Sequence, residues 1–246
     1  MKLQGKVAVV TGGSRGIGRA TALEFAEEGS DVAVIYNKAE GEANKVVALI
    51  KQKGREAVAI KCDVSKEEEV KEMVKSVIGK FGKVDILVNN AGIVFDVPFK
   101  DRTVEQWEKT LGVNLIGAFL CAKYLSPYMV KQEYGKIINV ASNNAFAGYG
   151  MDSVDYDASK AGMVILTKDL SRDLGPYVNV NCVAPGWVET DMNKYLSKDY
   201  MEGEAKRADV QRIGKPGEIA KVILFLASDD SSFVTAETIV VDGGYK

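Results

Sequence analysis

Tyr156 and Lys160 stand four residues apart in the run Asp155-Tyr156-Asp157-Ala158-Ser159-Lys160. On a helix this spacing puts both side chains on one face. An ammonium beside a phenol favours the phenolate and draws the tyrosine pKa down from about 10. A tyrosine so tuned gives or takes a proton near neutral pH. Alone the pair is weak evidence, because Tyr and Lys at this spacing are common on ordinary helices. Ser142, followed by Asn143 and Asn144, is a second polar cluster. It sits where a strand should end, the place where ligands bind in open α/β sheets, and its hydroxyl suits a substrate carbonyl oxygen. A turn-forming Ser-Asn-Asn loop is the plain alternative.

A third group is Thr11-Gly12-Gly13-Ser14-Arg15-Gly16-Ile17-Gly18, which follows an apolar run and opens a helical pattern. In that context the glycines have separate jobs: Gly12 for a sharp turn, Gly16 for close approach to a pyrophosphate, Gly18 for tight helix–strand packing. The helix that follows offers free N–H groups and the positive end of its dipole to phosphate. At the end of the second strand a carboxylate would grip the adenosine ribose of NAD and repel a 2′-phosphate. This chain has Tyr36-Asn37-Lys38 there, Asp31 lies at the other end, and Arg15 is within reach of the same place. Two cations and no carboxylate suit the 2′-phosphate of NADP(H). If Lys38 is only a solvated surface lysine, NAD(H) remains the alternative.

The chain has no histidine. That removes a Ser-His-Asp triad, a His base and any His metal site. No metal site is expected, and proton chemistry falls to Tyr, Lys, Asp, Glu or water. Cys62, Cys121 and Cys182 are scattered through apolar stretches, which reads as core filling in a reducing cytoplasm. The formal net charge is -2, with Lys and Arg spread along the chain. Neither nucleic acid nor an anionic membrane is an expected partner. No apolar run approaches the ~20 residues of a membrane span. The N-terminus runs straight into a strand with no signal-peptide core.

These residues need elements to position them, and the pattern alternates strand and helix from end to end. Strands are expected at 6–10, 31–36, 56–61, 84–88, 136–141, 178–183 and 238–241. Helices are expected at 16–28, 40–53, a stretch reaching 81, 103–111, 113–132, 154–174 and 216–227. Ser65 and Glu68 have the look of a capping box for the third helix. The strands are short, β-branched and apolar on both faces, as parallel strands covered on both sides should be. The expected fold class is α/β, a Rossmann-type doubly wound, seven-stranded parallel sheet with helices on both faces, forming one domain over 1–246. Residues 189–212 are polar and irregular; they read as a substrate lid or, alternatively, as a surface helix pair.

In combination these residues resemble the short-chain dehydrogenase/reductase family in its single-domain form, over essentially the whole chain. The resemblance is carried by Thr11-Gly12-x-x-x-Gly16-x-Gly18, Asp63-Val64, Asn89-Asn90-Ala91-Gly92, Asn114, Ser142, Tyr156-x-x-x-Lys160 and Pro185-Gly186-x-Val188-x-Thr190. It implies that Asp63 and Val64 hold the adenine and that Asn90, Ala91 and Gly92 line the adenosine side. Pro185, Gly186, Val188 and Thr190 would embrace the nicotinamide, and Lys160 would also bind its ribose. Asn114 would hold a water that links Lys160 to solvent. Ser142 and Tyr156 would hydrogen-bond the carbonyl oxygen, and Tyr156 would protonate the alkoxide after hydride transfer, acid catalysis typically being worth ~10²–10⁴-fold. A homotetramer is implied, paired through the helices ending near Gln132 and Leu174 and through the last strand. Ser142 precedes Tyr156 by one residue more than the family's usual spacing, and Asn143 occupies the usual offset, so Asn143 competes for the polarising role.

The resemblance is nearest in flavour to 3-oxoacyl-carrier-protein reductases and to sugar or polyol dehydrogenases. The first implies a 3-oxoacyl thioester on an acidic acyl carrier protein, and Arg172 suits such a partner. Pro127 stands where another arginine is usual. Trp187, Tyr149 and Phe95 are candidates to line a small-molecule carbonyl or alcohol site. A nucleotide-binding sensor without turnover, and an isomerase or dehydratase on the same scaffold, are the rival classes.

Overall fold

The structure, a computed structural model, describes residues 1–148 and 152–246. Seven parallel strands form one sheet: β1 (Val7–Thr11), β2 (Asp31–Tyr36), β3 (Ala57–Lys61), β4 (Ile86–Asn89), β5 (Gly135–Val140), β6 (Val178–Pro185) and β7 (Thr238–Val241). Their order is β3-β2-β1-β4-β5-β6-β7. The chain winds outward in one direction from β1 and then in the other from β4. That reversal opens a crevice above the carboxyl ends of the two strands, the usual ligand place in such sheets.

Side chains along each strand alternate between two cores, as the pleat requires. Ala8, Val10, Val32, Val34, Ile86 and Val88 face one side. Helices α1 (Gly16–Glu27), α2 (Glu40–Gln52) and α8 (Pro216–Ala227) cover it with Phe25, Ile50 and Ile223. Val9, Ala33, Ile35, Leu87 and Ile137 face the other. There α3 (Glu67–Phe81) and α5 (Gly117–Lys131) supply Met73, Val77, Leu125 and Met129. Helix α6 (Val154–Leu174) completes that face, with Met163 against Cys182 and Ala184. The three cysteines are buried and free.

Two local expectations are corrected. Ser65 does not cap α3, whose N-cap is Lys66 with no side-chain cap bond. The Ser65 hydroxyl instead donates to the Asp63 carboxylate at 2.6 Å, and the Asp63 N–H donates to Glu69 at 2.8 Å. The Asp63 carboxylate competes for the serine and wins by proximity. Nor are the helices around 104–131 two separate pieces. Helix α4 (Val104–Leu111) continues through a π-helical turn, Gly112–Ile116, into α5 as one 28-residue rod. By length and composition it is apolar enough to cross a membrane, against the expectation that no stretch would be. Half of its apolar window is buried inside the fold. Residues 189–212 contain a short 3₁₀ turn, Asp191–Asn193, and helix α7 (Lys198–Arg207).

Candidate active site

The loop from β1 to α1 is bolted to the end of β4. Asn90 Nδ2 donates to the carbonyls of Thr11 (2.9 Å) and Gly12 (3.2 Å). The Thr11 hydroxyl accepts from the N–H groups of Asn90 and Ala91 at 2.9 and 3.0 Å. At Gly18 a Cβ would run into the Gly12 carbonyl and lie 2.5 Å from Asn90 Nδ2. Gly16 has φ +54°, a backbone region that disfavours side chains, and a Cβ there would touch Thr190 Cγ2 at 3.3 Å. Thr190, far away in sequence, therefore closes over the glycine loop. Arg15 is the N-cap of α1 and makes no side-chain cap bond, which leaves the first-turn N–H groups to a ligand. The residues present fit a dinucleotide: a cradle shaped by glycine at a helix N-terminus, at the sheet's switch point.

The remaining expected cofactor residues surround this cradle. Ser14 is buried in the loop and Ile17 packs on the core. Arg15, Asn37 and Lys38 are exposed beyond the ends of β1 and β2. Asn37 hydrogen-bonds the Asp63 carboxylate. Val64 is buried against Gly117. Pro185 ends β6 opposite Val241, Gly186 lies against Asp242, and Val188 bridges to Gly214.

On the substrate side, the Ser142 hydroxyl lies beside the Tyr156 phenol, near enough to favour the phenolate. Asn143, the serine's competitor, points its Nδ2 at Asp242, to which it donates at 3.4 Å, while its Oδ1 accepts from the Ser142 hydroxyl at 3.5 Å. The extra residue before Tyr156 thus leaves the serine beside the phenol. Asn144 Nδ2 and the Ser153 hydroxyl both donate to the Asp157 carboxylate, at 2.7 and 3.2 Å, which fixes the Ser142 loop to α6. Lys160 is buried and its Nζ lies 5.5 Å from the Tyr156 ring centroid. It donates to the carbonyl of Val140 at 2.7 Å. A Cβ on Gly92 would lie 3.5 Å from Asn114 Oδ1 and 3.6 Å from Lys160 Nζ, so these three meet at one point.

Asn114 lies in the π-helical turn, a feature often found at functional sites. Its Oδ1 accepts from Ile93 N–H at 2.8 Å, and its Nδ2 donates to the Ile93 carbonyl and to Ser159 Oγ. Ser159 in turn donates to the carbonyl of Tyr156 at 2.6 Å. This serine, a link between Asn114 and the tyrosine's own backbone, had no assigned role in the sequence reading. Nor did Arg102 and Asp155, which form a buried ion pair at 3.2 Å. The pairing joins positions distant in sequence, so no local spacing could reveal it.

Comparison with known proteins agrees with this geometry. A family profile described as enoyl-(acyl carrier protein) reductase matches residues 12–246. A 3-oxoacyl-[acyl-carrier-protein] reductase of Staphylococcus epidermidis is 43% identical over 240 residues, 97% of this chain and 98% of the relative. One from Thermotoga maritima is 41% identical over 255 residues, 99% of each. A short-chain dehydrogenase of Burkholderia cenocepacia, solved in complex with NADP, matches with a TM-score of 0.94 at 36% identity over 99% of each chain. The chain belongs to the short-chain dehydrogenase/reductase family.

The electrostatics of this short-chain dehydrogenase/reductase site depart from one expectation. The Tyr156 phenol is not drawn down. Burial pushes it up to about 12, the Ser142 hydroxyl works against that rise, and Asp157 adds to it. Burial lowers Lys160 to about 8. The reason is directional: the ammonium is turned to the Val140 carbonyl, and the phenol to Ser142. Of the aromatics expected near the site, Trp187 meets Tyr200 of α7 edge to face at 5.9 Å. Phe95 is half-buried, and Tyr149 lies outside the described residues. Among the described residues no group of three or more His, Cys, Asp or Glu could hold a metal ion.

Proposed function

We propose that the chain is an NADPH-dependent oxidoreductase that reduces a 3-oxoacyl thioester to the 3-hydroxyacyl product, with Tyr156 as proton donor. The observation that carries the reading is Tyr156 with Ser142 beside its phenol and the buried Lys160 Nζ 5.5 Å from its ring, in a chain so similar to 3-oxoacyl-carrier-protein reductases. NADPH, when bound, supplies the hydride to the carbonyl carbon. Ser142 and Tyr156 converge on the carbonyl oxygen and hold it by two donors. A phenol held near 12 keeps its proton throughout neutral pH and releases it only to a stronger base, the developing alkoxide. Lys160, with a value of about 8, is still charged at neutral pH and stabilises the phenolate left behind. Asn114 would hold the water that returns the proton, a reading supported by its position against Gly92 and Lys160. Arg15 and Lys38 would take the 2′-phosphate of NADPH rather than the free ribose of NADH.

Residues 189–212 would serve as the lid, with Tyr200 of α7 packed on Trp187 just ahead of it. The exposed apolar residues Phe119 and Tyr128 on α5, Ile165 on α6, and Phe233 and Val240 near β7 support a homotetramer, and the three free cysteines suit a reducing cytoplasm. The acyl group would arrive on an acyl carrier protein. Arg172 is exposed for that contact, with Asp169 3.7 Å away, while Pro127 lies inside α5 and offers no charge. One observation favours a second reading, a sugar or polyol substrate: Asp96 and Asp152 lie near Tyr200 of the lid, and burial and Asp152 together raise the Asp96 pKa. Such carboxylates would accept hydrogen bonds from hydroxyls.

Fluorescence titration with NADPH and NADH, followed by rates on 3-oxoacyl thioesters, diketones and aldoses, tests both. NADH binding more than about tenfold tighter than NADPH, a difference of ~1.4 kcal/mol, overturns the cofactor assignment. Turnover of aldoses alone overturns the thioester.

A further inference from the structure

Arg102 ends the segment that leads from β4 towards α4, and Asp155 is in the first turn of α6, immediately before Tyr156. Their side chains are 1% and 0% exposed, with Arg102 Nη1 3.2 Å from Asp155 Oδ1. Arg102 Nη2 donates to the carbonyls of Phe95 (2.7 Å) and Val97 (3.0 Å), and to that of Asp152. Val97 N–H donates to the same Asp152 carbonyl at 3.1 Å. A single guanidinium fastens the segment 93–103 to the residues that open the catalytic helix.

Stability is a poor explanation for this arrangement. Taking two charges out of water costs several kcal/mol per ion, and a well-packed apolar pair of similar volume often does as well or better. The contact is charge to charge: neither Asp155 carboxylate oxygen, nor Arg102 Nη1, has a hydrogen-bond partner among the described residues. What a planar fork with fixed donors supplies is geometry. The two bodies it joins both belong to the site. The segment carries Ile93, which holds the Asn114 amide by two hydrogen bonds, and Phe95. The helix carries Tyr156 and Lys160. Asp155 pairs with this one cation at 3.2 Å, and Asp96 lies near enough for the same charge to oppose, without reversing, the rise that burial and Asp152 impose on its carboxyl.

We propose that Arg102 and Asp155 are positioning residues for the proton transfer, setting where Tyr156 stands relative to the segment 93–103. This rests on the reading of Tyr156 as proton donor. A displacement of about 1 Å can cost up to a hundredfold in rate.

The test is single-turnover reduction: enzyme saturated with NADPH is mixed with acetoacetyl-coenzyme A and the loss of NADPH absorbance is followed. Two variants are compared with the unaltered chain. Arg102→Lys keeps the charge but not the fork. The double variant Arg102→Met/Asp155→Leu replaces the pair by apolar volume and leaves no orphaned charge. In both, the rate constant falls by roughly tenfold or more, while the amplitude per folded enzyme and the affinity for NADPH stay as they were. A purely structural pair would change only the amplitude, because the molecules that fold would still react at full speed. An unchanged rate constant in either variant overturns the proposal. Tyr156→Phe is run alongside: if it reduces the thioester at full rate, the reading of Tyr156 fails instead.

Discussion

Lys160 and Tyr156 share one face of α6, with Nζ 5.5 Å from the ring centroid, yet the ammonium gives its hydrogen bond to the carbonyl of Val140 at 2.7 Å. The lysine and the tyrosine are neighbours without being partners. Both meet the end of β5 at different points: Lys160 at its last residue, Val140, and the Tyr156 phenol at Ser142 just beyond it. The geometry suits a donor that holds its proton firmly until an alkoxide forms, with a cation near enough to stabilise the phenolate that results.

Replacing Tyr156 by Phe removes the proton and keeps the ring. The rate of ketone reduction falls by about 10²–10⁴-fold, the usual worth of positioned acid catalysis, while NADPH binds as before. Ser142→Ala lowers the rate with the same preserved affinity. Asn143→Ala leaves the rate close to that of the unaltered enzyme, because its amide faces Asp242. Steady-state kinetics on the three variants decides which residue polarises the carbonyl. A larger loss from Asn143→Ala than from Ser142→Ala overturns the assignment.

The pH dependence follows from Lys160. Its value in the folded protein is about 8, lowered by burial from 10.5. Reduction is therefore fastest below about pH 8 and declines as pH rises through that value, since the cation that stabilises the phenolate is lost. The stability effect has the opposite slope. Between about 8 and 10.5 the unfolded chain binds more protons at this site than the folded one, so the contribution of Lys160 to stability rises with pH across that window. Tyr156, raised from 10.0 to about 12, contributes stability that is complete below 10 and lost through 12. Urea denaturation across this range, on the unaltered enzyme and Lys160→Met, checks it. The variant lacks the rise; an identical rise in both rules Lys160 out as the cause.

The proposed choice of NADPH over NADH rests on Arg15 and Lys38. Both are exposed, beyond the ends of β1 and β2, and none of the residues Tyr36-Asn37-Lys38 that close β2 is a carboxylate. A hydrogen bond to a charged group contributes about 1.5–3 kcal/mol. The double variant Arg15→Ala/Lys38→Ala thus weakens NADPH by roughly a hundredfold or more and leaves NADH nearly untouched. Equal weakening of both nucleotides, read by fluorescence titration, would locate the two cations elsewhere on the cofactor.

Much of this could be read before any coordinates, and the exceptions have a physical pattern. Strands such as β2 and β7, and helices α6 and α8, fall where hydrophobic periodicity and glycine or proline boundaries put them, because a buried strand and a half-buried helix leave their period in the sequence. Helix α7 was legible only as one of two alternatives for 189–212, a lid or a surface helix pair, because its run from Lys198 to Arg207 is mostly polar and buries only Glu204. The π turn at Asn114 was hidden, since widening one helical turn changes no composition. Among candidate site residues, Gly12, Gly18, Tyr156 and Lys160 were legible because each belongs to a short spaced motif, and the ordered set of such motifs along the chain singled them out. Arg102, Ser159 and the turning of Lys160 to Val140 depend on contacts between distant segments, which spacing does not encode. The capping box at Ser65 failed for the same reason in miniature, the neighbouring Asp63 being the better partner.

Asn114 joins stability to rate, and the two effects can be separated. The side chain is fully buried and makes three hydrogen bonds, two to the backbone of Ile93 and one to Ser159. Substituting Leu leaves the Ile93 N–H and carbonyl without their partner in a dry site, and each such orphan costs about 1–3 kcal/mol. The variant Asn114→Leu is accordingly less stable to urea, with a lower midpoint and an unchanged slope. Asn114→Ser keeps a small polar group and leaves room for a water to restore part of the bonding. If Asn114 serves the proton return, the serine variant regains stability but still turns over slowly, and its rate recovers when a small amine buffer is added to carry protons. If the residue is only a brace, the serine variant regains rate and stability together and the buffer has no effect. Rate against buffer concentration at fixed pH separates the two, because a brace has no proton to pass on.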